Sequence, residues 1–235
     1  MNLGEYLGAG SGITKGLYRL EDLTDSSGNS YNLTNNNSVG FVSGKFNNCA
    51  DFGATVSNLS LTRTSSSGIT NGHITLIIHL KLRAEVGANS FDFLSNADSG
   101  VFVHYYIAYE YNGGSRRLAF TRDRGSVGAQ AAYYTVTLGT SSWYTLGLTY
   151  DGTNVSGFFN GSYIGQTAAS GNGSGSFTQT GVSIGARLFQ PANPTINYSP
   201  IYADEVVIEN VAWSKAKMKK YYTDSLGRFQ PRGGM

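Results

Sequence analysis

Cleaving a glycosidic bond takes two carboxyl groups roughly 5–9 Å apart. On a strand, that means acids two positions apart on one face. The 15 acidic residues do not fall that way. Asp204 and Glu205 are adjacent, so on a regular strand they point to opposite faces. Glu205 and Glu209 are separated by about 13 Å of strand rise. Asp92, in Phe91-Asp92-Phe93, and Asp123, in Thr121-Arg122-Asp123, are lone acids. His73, His79 and His104 lack the spacing of a helical metal pair. His79 and His104 fit hydrogen-bonded sheet histidines. No glycine cluster lies between a strand and a helix to cradle a phosphate, and no nucleophile elbow is visible. Cys49 is the only cysteine and its neighbours Asn48 and Ala50 offer no base, so a buried thiol is expected and no internal disulfide can form. The residues point away from an enzyme.

Binding chemistry has more to draw on. A sugar site wants a flat ring under the sugar and planar polar groups at its rim. The loop from Phe189 to Tyr202 offers Phe189, Asn193, Asn197, Tyr198 and Tyr202, and a sheet face carrying His104 and Tyr106 offers a second surface. Trp143 opens a strand that continues through Leu146 and Leu148, which predicts a core residue rather than a platform. Arg116, Arg117, Arg122 and Arg124 gather on one hairpin beside Asp123. They suit a charged edge strand that blocks sheet-to-sheet pairing, or contact with an acidic glycan or a neighbouring subunit.

The elements that must carry these residues are strands. His73 to Leu82 alternates apolar and polar residues, and Val101 to Tyr111 repeats the pattern, closed by Asn112-Gly113-Gly114. Two short strands flank Gly44-Lys45. Further strands follow at Leu118 to Arg122, Tyr133 to Leu138, Tyr144 to Tyr150, Val155 to Asn160, Tyr163 to Thr167, Val182 to Arg187 and Ile201 to Glu209. Only Ser214 to Tyr222 looks helical, with Ser214 as N-cap and its lysines on the exposed side. The 31 glycines supply turns between short strands, the signature of an all-β sandwich. Residues 1–16 are expected as a flexible arm, 17–229 as one domain and 230–235 as a tail. A net charge of +2, with 14% charged residues, argues against a nucleic-acid partner. No run approaches the ~20 apolar residues of a membrane helix. The first ten residues, MNLGEYLGAG, lack the basic start and apolar run of a secretory signal.

From Trp143 onward a pattern emerges. Trp143-Tyr144-Thr145-Leu146 leads into Thr149-Tyr150-Asp151-Gly152, then Phe158-Phe159-Asn160-Gly161 and Ile184-Gly185-Ala186. Upstream, Leu17 to Leu20 precedes Asp25-Ser26-Ser27-Gly28-Asn29, and Gly44-Lys45-Phe46 precedes Ala50 and Phe52. Downstream stands Ala203-Asp204-Glu205-Val206-Val207-Ile208, followed by Ser214. In this order the motifs resemble the laminin-G-like, concanavalin A-like lectin/glucanase superfamily over about residues 17–229. The resemblance implies a two-sheet antiparallel jelly-roll sandwich with one short C-terminal helix. The acid triplet of the superfamily's glucanases, two or three residues apart, is missing here. The fold hosts lectins, glucanases, adhesion modules and virion proteins, so it does not fix a function.

The resemblance also implies that Asp204 can help bind an ion beside the first strand. Calcium takes six to eight oxygens, and the turn with Asp25 and Asn29 presents several. A structural calcium held by Asp25, Asn29 and Asp204 is one reading. The other is that Asp25 caps its own turn and Asp204 accepts backbone N–H groups. Two functions remain open. One is a non-catalytic carbohydrate-binding module. The other is a structural or assembly protein, such as a phage virion decoration or tail-associated component, with a protein partner or a second copy of itself. The second would place the chain on a virion, or on a cell surface reached without a signal.

Overall fold

The computed structural model describes residues 13–54, 59–63, 69–70, 72–85, 90–98, 104–123, 128–169, 178–190 and 193–227. Its strands are β1 (Thr14–Tyr18), β2 (Thr34–Asn36), β3 (Gly40–Ser43), β4 (Asn48–Asp51), β5 (Ser60–Arg63), β6 (Ile69–Thr70), β7 (Ile74–Leu82), β8 (Phe91–Asp98) and β9 (His104–Asn112). They continue with β10 (Ser115–Asp123), β11 (Ala129–Thr135), β12 (Tyr144–Tyr150), β13 (Asn154–Phe159), β14 (Ser162–Ala168), β15 (Thr178–Ile184), β16 (Arg187–Gln190), β17 (Asn193–Ile196) and β18 (Ile201–Glu209). Among the described residues one helix, α1 (Lys215–Gly227), follows.

Two antiparallel sheets of eight strands form the sandwich. The first runs β14-β13-β12-β7-β18-β4-β3, with β1 beside β18. The second runs β11-β10-β9-β8-β15-β5-β2, with β6 beside β15. The alternation in the sequence decides which side faces in. Ile74, Leu76, Ile78, Leu80 and Leu82 of β7 meet Tyr105, Ile107 and Tyr109 of β9 in one buried core. The opposite side of β7 is not open to water along its length. Ile77 there joins Leu17, Phe158, Val207, Trp213, Met218 and Tyr221 in a second apolar cluster beneath α1. The fold is an all-β jelly-roll sandwich with a helix laid on its first sheet.

Several expectations shift. α1 extends through Gly227, five residues beyond Tyr222, while Ser214 caps it as expected, its hydroxyl accepting the Lys217 N–H at 3.2 Å. Lys215, Lys219 and Lys220 are exposed as expected, while Lys217 is half-buried. Lys215 stands 3.4 Å from the centroid of the Tyr163 ring, and Lys217 pairs with buried Glu209 at 3.2 Å. These contacts and the Trp213 N–H donated to Glu209 pin the helix to the sheet. Residues 14–16 of the expected arm belong to β1, because Thr14 pairs with Glu209. The rest of the arm up to residue 12, Val101 to Val103, Arg124 and the expected tail lie outside the described residues.

The arginine hairpin is no edge. β11 covers β10, and Arg122 points into the sandwich, fully buried, with its guanidinium 4.3 Å from the Tyr150 ring centroid. Arg117 lies 3.7 Å from the Tyr133 ring centroid and pairs with Glu110.

Candidate functional site

The register of the first sheet sets four side chains in a row across its outer face. Asp51 of β4 pairs with Tyr202 of β18, and Tyr202 pairs with Lys81 of β7. Trp143 comes one residue before Tyr144, which pairs with Leu80, so it falls beside Lys81. Ile201 and Ala203 flank Tyr202 and both sit in the core, which turns the Tyr202 ring outward. Three strand spacings of about 4.8 Å separate the ends of the row. With Val42, Ser43, Gly44 and Arg83, these residues line a groove of about 520 Å³. That volume is in the range of small-ligand pockets.

Arg83 gives the groove its geometry. Its guanidinium donates to Asp51 Oδ1 at 2.7 Å and lies 5.4 Å from the Tyr202 ring centroid. Asp51 Oδ1 also accepts the Gly53 N–H at 3.0 Å. The groove thus holds two aromatic side chains, Trp143 and Tyr202, on either side of Lys81, with Asp51 and Arg83 beside Tyr202. Trp143 is only half-buried and is no part of either apolar cluster, contrary to the expectation that it fills the core. The buried tryptophan is Trp213.

One end of the groove is the turn between β3 and β4. Gly44 approaches so closely that a Cβ there would stand 2.5 Å from Cys49 Cβ and 2.9 Å from Asp204 Oδ2. Asp204 Oδ2 accepts the N–H groups of Lys45 at 2.8 Å and Phe46 at 3.0 Å. The thiol of Cys49 is buried as expected, and burial pushes its pKa up to about 12, with Asp204 and Asp51 adding to the rise.

Asp204 and Glu205 do not point to opposite faces. The pairing of β18 with β7 slips between Ala203 and Val206, so both acids stand opposite His79 in a β-bulge. Glu205 accepts a hydrogen bond from the Tyr221 hydroxyl, which also meets His79 Nε2 at 3.2 Å, while Phe46 packs edge-on to His79. His79 is the hydrogen-bonded sheet histidine expected, with Thr145 Oγ1 at 2.9 Å on its other nitrogen. The acid pair is buried beneath Phe46 and Tyr221 rather than set in the groove.

Burial pushes the Asp204 carboxyl from 3.8 up to about 7, and Glu205 adds to the rise, against the two backbone N–H groups and Lys45. In the folded chain Asp204 therefore holds its proton at pH values where the unfolded chain has lost it. Stability from this group is full below the unfolded value and is lost as pH climbs through the folded one. Chemical denaturation between pH 4 and pH 8 is expected to show stability falling across that window. Asp204→Asn should flatten the fall; an unchanged profile in the variant would remove Asp204 as its cause.

Tyr106, Asn197 and Tyr198 do not line the groove. Tyr106 is buried under the Arg187 guanidinium, 4.0 Å from its ring centroid, and Arg187 pairs with fully buried Asp92 at 3.0 Å. The Asn197 carbonyl accepts the Asp92 N–H at 3.0 Å. Asp92 thus ties the sheet face of Tyr106 to the loop of Asn197, the two surfaces that looked separate in sequence. Tyr198 is half-buried in that loop and is not a wall of the groove. His104 lies on β9 and Phe189 and Asn193 on the β16–β17 pair; their side chains are outside the described residues.

Asp25 accepts four hydrogen bonds, from Leu17 N, Ser27 N, Ser27 Oγ and Tyr31 N. Asn29 donates to the Thr14 carbonyl and to Ser27 Oγ. Asp204 leaves only Oδ1 without a partner. Among the described residues, no group of three or more His, Cys, Asp or Glu gathers as a metal set. A calcium shared by Asp25, Asn29 and Asp204 would have to displace donors already in place. If it binds, millimolar Ca²⁺ raises the melting temperature above that in EDTA, and Asp204→Ala removes the difference. Identical melts in EDTA and Ca²⁺ would leave the turn hydrogen bonds as the whole account.

No protein-family model and no curated protein matches the chain in sequence. Solved structures do match its fold. One is domain 4 of AbnA, a GH43 extracellular arabinanase from Geobacillus stearothermophilus, in complex with arabinotriose. It superposes with a TM-score of 0.62 at 15% identity, over 88% of this chain and 97% of that one. Another is botulinum neurotoxin type C, from work on its cell entry through two ganglioside molecules, with a TM-score of 0.70 at 12% identity over 91% of this chain. The binding domain of Paraclostridial Mosquitocidal Protein 1 matches with a TM-score of 0.64 at 12% identity over 90% of this chain. The chain spans about half of each of these two toxin chains, 51% and 52%. At these identities the likeness is one of fold.

Proposed function

We propose that the chain is a non-catalytic carbohydrate-binding module of the concanavalin A-like, laminin-G-like kind, and that its ligand lies in the groove of Trp143 and Tyr202. The observation that carries this reading is the in-register row Asp51–Tyr202–Lys81–Trp143 on an outer sheet face. Two aromatic faces supply apolar contact, and the charged groups beside them supply donors and an acceptor. The sugar-bound neighbour with nearly full mutual coverage supports the same class of ligand. The buried place of Asp204 and Glu205, beneath the helix, supports binding without cleavage.

A glycan array followed by titration calorimetry tests the reading. Saturable binding to one sugar class, without release of reducing sugar on long incubation, is the expected result. A blank array together with self-association in solution would instead favour the assembly role.

A further inference from the structure

The groove carries more positive charge than its own carboxylate answers. Asp51 is engaged by Arg83 and by the Gly53 amide. Lys81 stands between the two aromatic rings, and among the described residues no carboxylate, carbonyl or ring meets its ammonium. Arg83 uses one nitrogen on Asp51, and its side chain is 31% exposed. Among the described residues the remaining N–H edge of the guanidinium meets no acceptor, and the side chain is open to solvent. The other nearby acid, Asp204, lies behind the Gly44 turn with one oxygen held by two backbone N–H groups.

An unpaired ammonium beside an open guanidinium edge fits a carboxylate, which Arg can meet with two parallel hydrogen bonds and Lys as a point charge. A neutral sugar would use these groups only as hydroxyl donors. Resting on the carbohydrate reading above, we infer that the groove selects carboxylated sugars. Lys81 and the free edge of Arg83 take the carboxylate, while the ring lies against Trp143 or Tyr202. Hexuronates and sialic acids share this chemistry.

Titration of the intact chain with four probes separates the outcomes: oligogalacturonate, its methyl ester, sialyllactose and lactose. Methyl esterification removes the charge and keeps the ring. At least one acidic probe is expected to bind about tenfold or more tightly than its neutral counterpart. That margin should shrink with added salt. Which acidic probe wins identifies the source of the carboxylate. Lys81→Gln should erase the margin, and Lys81→Arg should keep most of it, with both variants melting like the wild type. Equal binding of acidic and neutral probes, lost in Trp143→Ala, would overturn the selectivity and leave the carbohydrate reading intact. No binding of any probe would overturn the selectivity, and a blank glycan array beside it would overturn the carbohydrate reading as well.

Discussion

Trp143→Ala is expected to weaken glycan binding by about thirtyfold or more and to move the melting temperature by only about 1–2 °C. A half-buried indole beside Lys81 has little packing to lose, but a central aromatic anchor can carry 2 kcal/mol or more of binding energy. Trp213→Ala should do the reverse. Trp213 is 4% exposed, packs edge-on to Tyr221 at 5.4 Å between ring centroids, and donates its ring N–H to buried Glu209. Truncating a buried Trp costs about 3–5 kcal/mol, so a fall of roughly 10 °C is expected for a chain of this size. Differential scanning fluorimetry and calorimetric titration on both variants check the pair. A large melting loss in Trp143→Ala with unchanged affinity would return that residue to the core and remove it from the groove.

Gly185→Ala should be among the most damaging single-methyl changes in the chain. Gly185 has φ +81°, and a Cβ there would stand 2.3 Å from the ring of Phe52. The left-handed backbone costs an L-residue about 1–2 kcal/mol, and overpacking a full core costs about 1–3 kcal/mol more. Together these predict a melting temperature lower by roughly 10 °C. Relief of the clash would also push Phe52, whose N–H binds the Ile201 carbonyl. Asp51 and Tyr202, the neighbours of those two residues, line the groove, so glycan affinity should fall with stability. A variant that melts like the wild type would show that the Phe52 ring has room to move.

The strands were legible wherever one face was apolar and the other polar. Ile74 to Leu82 and Tyr105 to Tyr109 carried their inward faces openly, and Ser214 marked the start of the helix. Asp151-Gly152 and Asn160-Gly161, dipeptides suited to tight hairpin turns, close the β12–β13 and β13–β14 hairpins, with Asp151 Oδ1 accepting the Thr153 and Asn154 N–H groups. The site was harder to read because it depends on register between strands far apart in sequence. Tyr202 stood out only as part of a loop-side aromatic group. Its partners Asp51 and Lys81 meet it through pairings that no local pattern encodes. Trp143 also departs from its expected place in the core. Apolar neighbours at Leu146 and Leu148 pointed Trp143 inward, yet both lie an odd number of residues from it, so the strand alternation sets Trp143 on the opposite, outer face. The bulge at Asp204-Glu205 hid in an ordinary strand sequence, because one extra residue in a ladder leaves no mark on composition.

The last strand of the sandwich is also a central one. β18 has β7 along one side, and on the other it takes β1 at residues 206–209 and β4 at residues 202–203. Thr14 and Glu209, joined by a 3.2 Å hydrogen bond, are 195 residues apart. Such contacts give a high contact order, which slows folding because the entropy of closing a long loop is lost before any contact repays it. A ribosome adding about 5–20 residues per second exposes β1, β4 and β7 for several seconds before β18 arrives. During that interval the first sheet has unpaired edges on both sides of the gap, open to pairing with other nascent chains. The strand that sets Tyr202 in its groove is thus also the one whose late arrival governs how safely the chain folds.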